Sequence, residues 1–155
     1  MKTESVTANT SNGWQKVTLG ELLEFKNGIN AEKASYGSGV PFVNVMEIIR
    51  HDVLDVEKIP GRISIDKKTL EKNLVVRGDV LFNRTSETPE EIGLTSVYLD
   101  SKAAVFGGFV IRGRSRNQLI SEGFKKYCFS SKQVRHQIIE RGQGVLRMNI
   151  GQKDL

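Results

Sequence analysis

The feature that most constrains this fold is the crowding of short β-type runs into the middle of the chain. Leu74-Val75-Val76, a turn at Arg77-Gly78-Asp79, and Val80-Leu81-Phe82 read as strand, turn, strand. Leu94 to Leu99 and Ala103 to Arg112 read as two more strands, joined near Asp100-Ser101-Lys102. Upstream, Phe42 to Ile48 alternates apolar and mixed positions and predicts another. Helical signals lie mainly towards the ends. Thr18-Leu19-Gly20-Glu21 has capping-box spacing, which predicts a short helix through Phe25, stopped near Asn27-Gly28. Asp66 predicts a cap for a short helix over Lys67 to Lys72. Asn117 opens a helical pattern carrying Leu119, Ile120, Phe124 and Tyr127. A second, capped by Ser130 or Ser131, places Val134, Ile138 and Ile139 on one face and ends at Gly142. Val145 to Ile150 closes as a strand-like run. Clustered strands with helices at the ends give an α+β class rather than a βαβ repeat.

The 155 residues amount to one domain. The polar start, residues 1–13, reads as a flexible leader, and residues 14–155 as the domain. No apolar run approaches the roughly 20 residues that cross a bilayer, so no membrane partner is expected. The single cysteine, Cys128, excludes an internal disulfide and fits a reducing cytoplasm. Charge is unevenly spread. Residues 1–100 hold 12 Lys/Arg and 15 Asp/Glu, whereas residues 101–155 hold 11 and 3. That basic last third points to a polyanionic partner or to a solubilising surface.

Motifs for many reactions are missing. The chain has no phosphate-binding GxxxxGK[ST] loop, no GxGxxG dinucleotide turn and no GxSxG elbow. His51 and His136 stand far apart, and with one cysteine no ordinary zinc ligand set can be assembled. A metal-nuclease triad and an adenine-methyltransferase signature are absent, and Asp52, Asp55 and Glu57 read as a solvated loop. No catalytic residue and no metal site are expected.

Arg112, Arg114 and Arg116 are spaced two apart, so in an extended strand they share one side. Such a comb can contact phosphates or a guanine, or it can guard a sheet edge.

Four stretches occur in sequence: "GWQKVTLGELLEFKNGIN", "YGSGVPFVNVMEI", "LVVRGDVLFNRTS" and "GVLRMNIGQKDL". In that order they resemble a target recognition domain from the DNA-specificity subunit of type I restriction–modification enzymes, over Trp14 to Leu155. The resemblance implies a twisted, partly helical β structure flanked by helices, forming a single target-recognition domain. It implies a non-catalytic reader of one half of a bipartite double-stranded DNA site. The reader would direct an adenine methyltransferase/endonuclease complex. S-adenosylmethionine, ATP and Mg are then expected only on the partner modification and restriction subunits, with no cofactor on this chain. The long spacer helix that follows the domain in that family is not expected within residues 14–155. A small nuclease or modification enzyme with a fused recognition domain, or an interaction module of a restriction complex, are the alternatives.

On that reading the DNA-contacting candidates extend beyond the comb. Asn30, Lys33, Ser35 and Tyr36 lie in a glycine-rich stretch, where backbone can approach a ligand and asparagine can pair with adenine. Asn83, Arg84, Thr85 and Ser86 sit at a strand exit. Arg147 and Asn149 alternate in the last strand-like run. Each group has an ordinary surface role as its competitor. Phe42, Val43, Val45, Leu81, Phe82, Phe109 and Ile111 are expected in the core.

Overall fold

A computed structural model describes residues 13–155; residues 1–12, which include nearly all of the expected leader, lie outside the described residues. The central sheet has five strands: β1 (Leu23–Asn27), β3 (Val53–Leu54), β5 (Val80–Asn83), β7 (Thr95–Tyr98) and β9 (Val110–Ser115), in the order β1-β9-β5-β7-β3. All neighbours are antiparallel except β3 and β7. A second sheet joins β4 (Arg62–Ile63), β2 (Tyr36–Val43) and β8 (Val105–Phe106), with β2 central. A two-stranded ribbon pairs β6 (Thr85–Ser86) with β10 (Met148–Asn149). This is the α+β, partly helical β architecture expected.

Alternation along β5 explains how the sheet is covered on both sides. Val80 and Phe82 point into one apolar cluster with Leu23, Ile111, Phe129 and Ile138. That cluster is closed by helices α1 (Leu19–Leu22), α4 (Glu122–Ser130) and α5 (Lys132–Arg141). Leu81 points the other way, into a cluster with Ile48, Tyr98, Phe106 and Val110, closed by α2 (Val45–Arg50). Phe42, Ile63 and Val105 form a third, smaller cluster under the second sheet.

Several boundaries differ from expectation, each for a local reason. The Thr18–Glu21 capping box forms, but α1 ends at Leu22. Leu23 to Asn27 instead pair with β9, and those ladder bonds outweigh one more helical turn. The glycine-rich stretch is irregular up to a 3-10 turn at Lys33–Ser35 and becomes strand β2 only from Tyr36 onward. The strand expected over Phe42 to Ile48 ends at Val43, because Asn44 N donates to Glu47 Oε2 at 2.7 Å and starts α2. Asp66 caps α3 (Lys67–Lys72) as expected, through Thr69 N. Leu74-Val75-Val76 forms only the bridge Val75–Ala104. The run Ala103 to Arg112 breaks into β8 and β9 at Gly107 and Gly108. The first C-terminal helix starts after Ser121 rather than at Asn117, and the second starts after Ser131.

Candidate nucleic-acid interface

Arg112 and Arg114 do share one side of β9, but it is the side covered by Leu81, Phe106 and α2. Arg112 is 4% exposed; its guanidinium donates to Leu74 O and lies 5.7 Å from the centroid of the Phe106 ring. Burial pulls its pKa down, and the neighbouring Arg114 adds to that. Arg114 grips Asp79 with two bonds, at 2.9 and 2.7 Å, and also donates to Leu74 O. Its hydrogen bonds to the Asp79 carboxylate push its pKa up. Arg116 falls beyond the strand and donates to Leu23 O. The three arginines therefore do not form an exposed comb. Arg114 fastens the Arg77-Gly78-Asp79 turn and both arginines hold Leu74 O ahead of it; Asp79 is itself buried and accepts from Val76 N at 2.9 Å.

Other cations of the basic last third are also engaged within the protein. Buried Lys125 donates to Gly78 O, and burial lowers its pKa. Arg135 donates to Glu90 O and Arg141 to Asp154 O.

The strand-exit candidates divide in the same way. Asn83 is fully buried; its amide donates to Glu91 O and its Oδ1 accepts from Thr85 N. Ser86 is buried and donates to Glu91 Oε2. Both fix the loop that follows β5 and are not available to a partner. Arg84 and Thr85, between them, are half-buried at a junction. Arg84 N donates to Phe109 O, its guanidinium to Gly108 O at 3.1 Å, and its carbonyl accepts from Ile150 N. Thr85 pairs with Asn149, which is exposed, and Arg147 is held by Glu87 at 3.2 Å.

The Gly107–Phe109 turn joins this ribbon to a cleft. The cleft, about 340 Å³, is lined by Asn30, Tyr36, Asn44, Met46, Gly108 and Phe109 among others. A Cβ at Gly108 would displace the Asn30 side chain, so the glycine lets Asn30 sit where it does in the cleft. Phe109 is 62% exposed, which corrects its expected place in the core; Met46 and Tyr36 are exposed as well. The glycine pair that breaks the strand run also breaks its alternation, and that is the signal that Phe109 faces outward. Asn44 and Met46 line the cleft too, presented by the start of α2 where the sequence pattern predicts strand. Lys33 and Ser35 form the turn leading into Tyr36, and Ser35 O accepts from Ser64 N; neither lines the cleft. Asn30, Tyr36, Arg84, Thr85, Arg147 and Asn149 thus lie along one connected path from cleft to ribbon. Arg112 and Arg114 lie at the other end of β5, which starts beside Gly113 and ends beside Val110.

No family model and no curated protein matches the sequence. Solved structures do match. The S subunit of a type I restriction–modification system from M. genitalium aligns with a TM-score of 0.56 and 19% identity, over 97% of this chain and 34% of that one. The HsdS subunit from Thermoanaerobacter tengcongensis aligns with a TM-score of 0.63 and 20% identity, over 96% and 32%. A third, from a study of type I complex assembly and conformational transition, gives 0.52 and 17% over 95% and 37%. The chain shares the fold of type I S subunits. It spans about a third of the length of each of these chains. Among the described residues no helix is long and apolar enough to cross a membrane, and no three His, Cys, Asp or Glu side chains gather as a metal site.

Proposed function

We propose that this chain binds double-stranded DNA sequence-specifically, as the target recognition domain of a type I restriction–modification specificity subunit. It reads one half of a bipartite site and directs an adenine methyltransferase/endonuclease complex. The observation that carries this reading is the path from Asn30 through Phe109 and Arg84 to Arg147 and Asn149, on a fold shared with S subunits. Asparagine pairs bidentately with adenine, arginine with guanine or phosphate, and an exposed apolar ring can meet a thymine methyl. Phosphate contacts set position and base-edge contacts set sequence. Arg84 and Arg147 take the first role, and Asn30, Asn44 and Asn149 the second. Chemistry on the DNA belongs to partner subunits in this reading, as do S-adenosylmethionine, ATP and Mg. Leu119, Phe124 and Tyr127, exposed apolar side chains on and just before α4, are the candidates for docking those subunits.

Enrichment from randomised duplexes tests the reading. A short, contiguous half-site is expected, bound weakly, because half of a bipartite site offers half the interface. With about four phosphate contacts, log K should fall against log[salt] with a slope of about −3 to −4. Recovery of no consensus at low salt contradicts sequence reading. Cleavage or methyl transfer by the chain alone, with plasmid, Mg²⁺ and S-adenosylmethionine, contradicts the division of labour.

A further inference from the structure

The turn between α5 and β10 carries the most exposed apolar side chains among the described residues: Val145 is 100% and Leu146 93% exposed. They are not displaced core residues. Met148 and Ile150, next along the chain, pack inward against the cluster of Phe82 and Phe129. The turn is also built to a definite shape. Gln143 and Asn149 exchange both backbone hydrogen bonds, at 2.9 and 2.8 Å, and pinch residues 144–148 into a tip. Gly144 has φ +128°, and a Cβ there would collide with Arg147 O. Asn149 Nδ2 donates to Arg147 O at 3.2 Å. The base of the tip is tied to the DNA-reading path, by Asn149 to Thr85 and by Ile150 N to Arg84 O.

We propose that Val145 and Leu146 form an apolar wedge that enters the bound duplex beside the base pairs being read and parts one base step. This rests on the DNA reading above and adds a mechanical element to it. Proteins that deform DNA insert one or two apolar side chains between base pairs and gain a bent duplex that wraps more of their surface. Arg147 adjoins the tip, with Glu87 holding it in place until phosphate replaces that carboxylate. The neighbourhood fits DNA better than protein. Two side chains are too little surface for a stable protein interface, which takes about 800 Å² from each partner, yet they suffice to open one base step. Pyrimidine–purine steps unstack most readily, so the wedge selects such a step without hydrogen-bonding to it.

The test uses the full chain, the enriched duplex with 2-aminopurine placed at successive positions, and dyes at the two ends. The wild type should raise 2-aminopurine fluorescence at one step and shorten the end-to-end distance. A variant carrying both Val145→Ala and Leu146→Ala should lose both signals and bind about tenfold more weakly. A single mismatch at that step should tighten wild-type binding and leave the variant unchanged. Wild-type binding with no unstacking overturns the wedge and leaves the DNA reading standing. Binding to no duplex overturns both. A variant that keeps its DNA signals but no longer captures a modification subunit assigns the tip to protein docking and overturns the wedge.

Discussion

Two arginine-bearing regions at opposite ends of β5 look alike in sequence and differ in what their charges meet. At one end, Arg112 and Arg114 are spent on Leu74 O and the Asp79 carboxylate, under the Phe106 ring. At the other, Arg84 and Arg147 stand at a junction of exposed ribbon and open cleft. A cation already desolvated and paired cannot be offered to DNA without dismantling its own turn. Counting basic residues therefore overstates an electrostatic footprint, and burial of the pair decides which of them count.

The sharpest way to break this comparison is to attack the inward end. Asp79→Ala removes the partner of Arg114 and the acceptor for Val76 N. Loss of one member of a buried pair should cost about 3 kcal/mol, measured by denaturant or thermal unfolding. The folded fraction should bind DNA with an unchanged salt slope. A normal melting temperature with weakened DNA binding would reverse the roles of the two regions.

Replacing both Arg84 and Arg147 by alanine should do the opposite. The salt slope should become shallower by about 1 for each residue, and affinity at low salt should fall. Stability should drop by only about 1 kcal/mol, for the bond from Arg84 to Gly108 O. Phe109→Ala is expected to weaken binding about tenfold and to leave the unfolding curve in place, since its ring is already mostly in solvent. A marked loss of stability would return Phe109 to the core.

The smallest effect concerns Tyr98, far from the proposed DNA path. Its hydroxyl donates to Lys102 O at 2.6 Å, and burial, with Asp100 and Asp55 adding to it, pushes its pKa up to about 12. The folded protein holds this proton more tightly than the unfolded chain does. The stability it contributes is therefore intact below about pH 10 and is lost as pH rises towards 12. Tyr98→Phe should flatten unfolding stability across that alkaline window. An unchanged alkaline profile would show that another group controls it.

Much of the scaffold was legible because its signals are local. The Thr18 and Asp66 caps, the Arg77-Gly78-Asp79 turn, β5, β7 and the Ser131-capped helix each follow from side chains a few residues apart. Elements decided by distant pairing were not legible. Leu23 to Asn27 have helical neighbours, and only the ladder to β9 makes them strand. The interface was half legible for the same reason. Asn30, Tyr36, Arg84, Thr85, Arg147 and Asn149, singled out by residue chemistry and spacing, lie on the proposed path. Spacing puts Arg112 and Arg114 on one side of a strand, but it cannot say what covers that side. Phe109 was misplaced because alternation was carried through Gly107-Gly108, where the chain turns.

The central claim, that DNA meets the cleft-and-ribbon path and not the arginines of the Asp79 turn, is tested most directly by site-specific photocrosslinking. Benzoylphenylalanine would be placed in turn at Phe109, Arg147, Arg77 and Lys126, and each folded protein irradiated with the enriched duplex. Crosslinks from positions 109 and 147, with none from 77 and 126, are the expected result. Strong crosslinks from 77 or 126, with none from 109 and 147, would contradict the account.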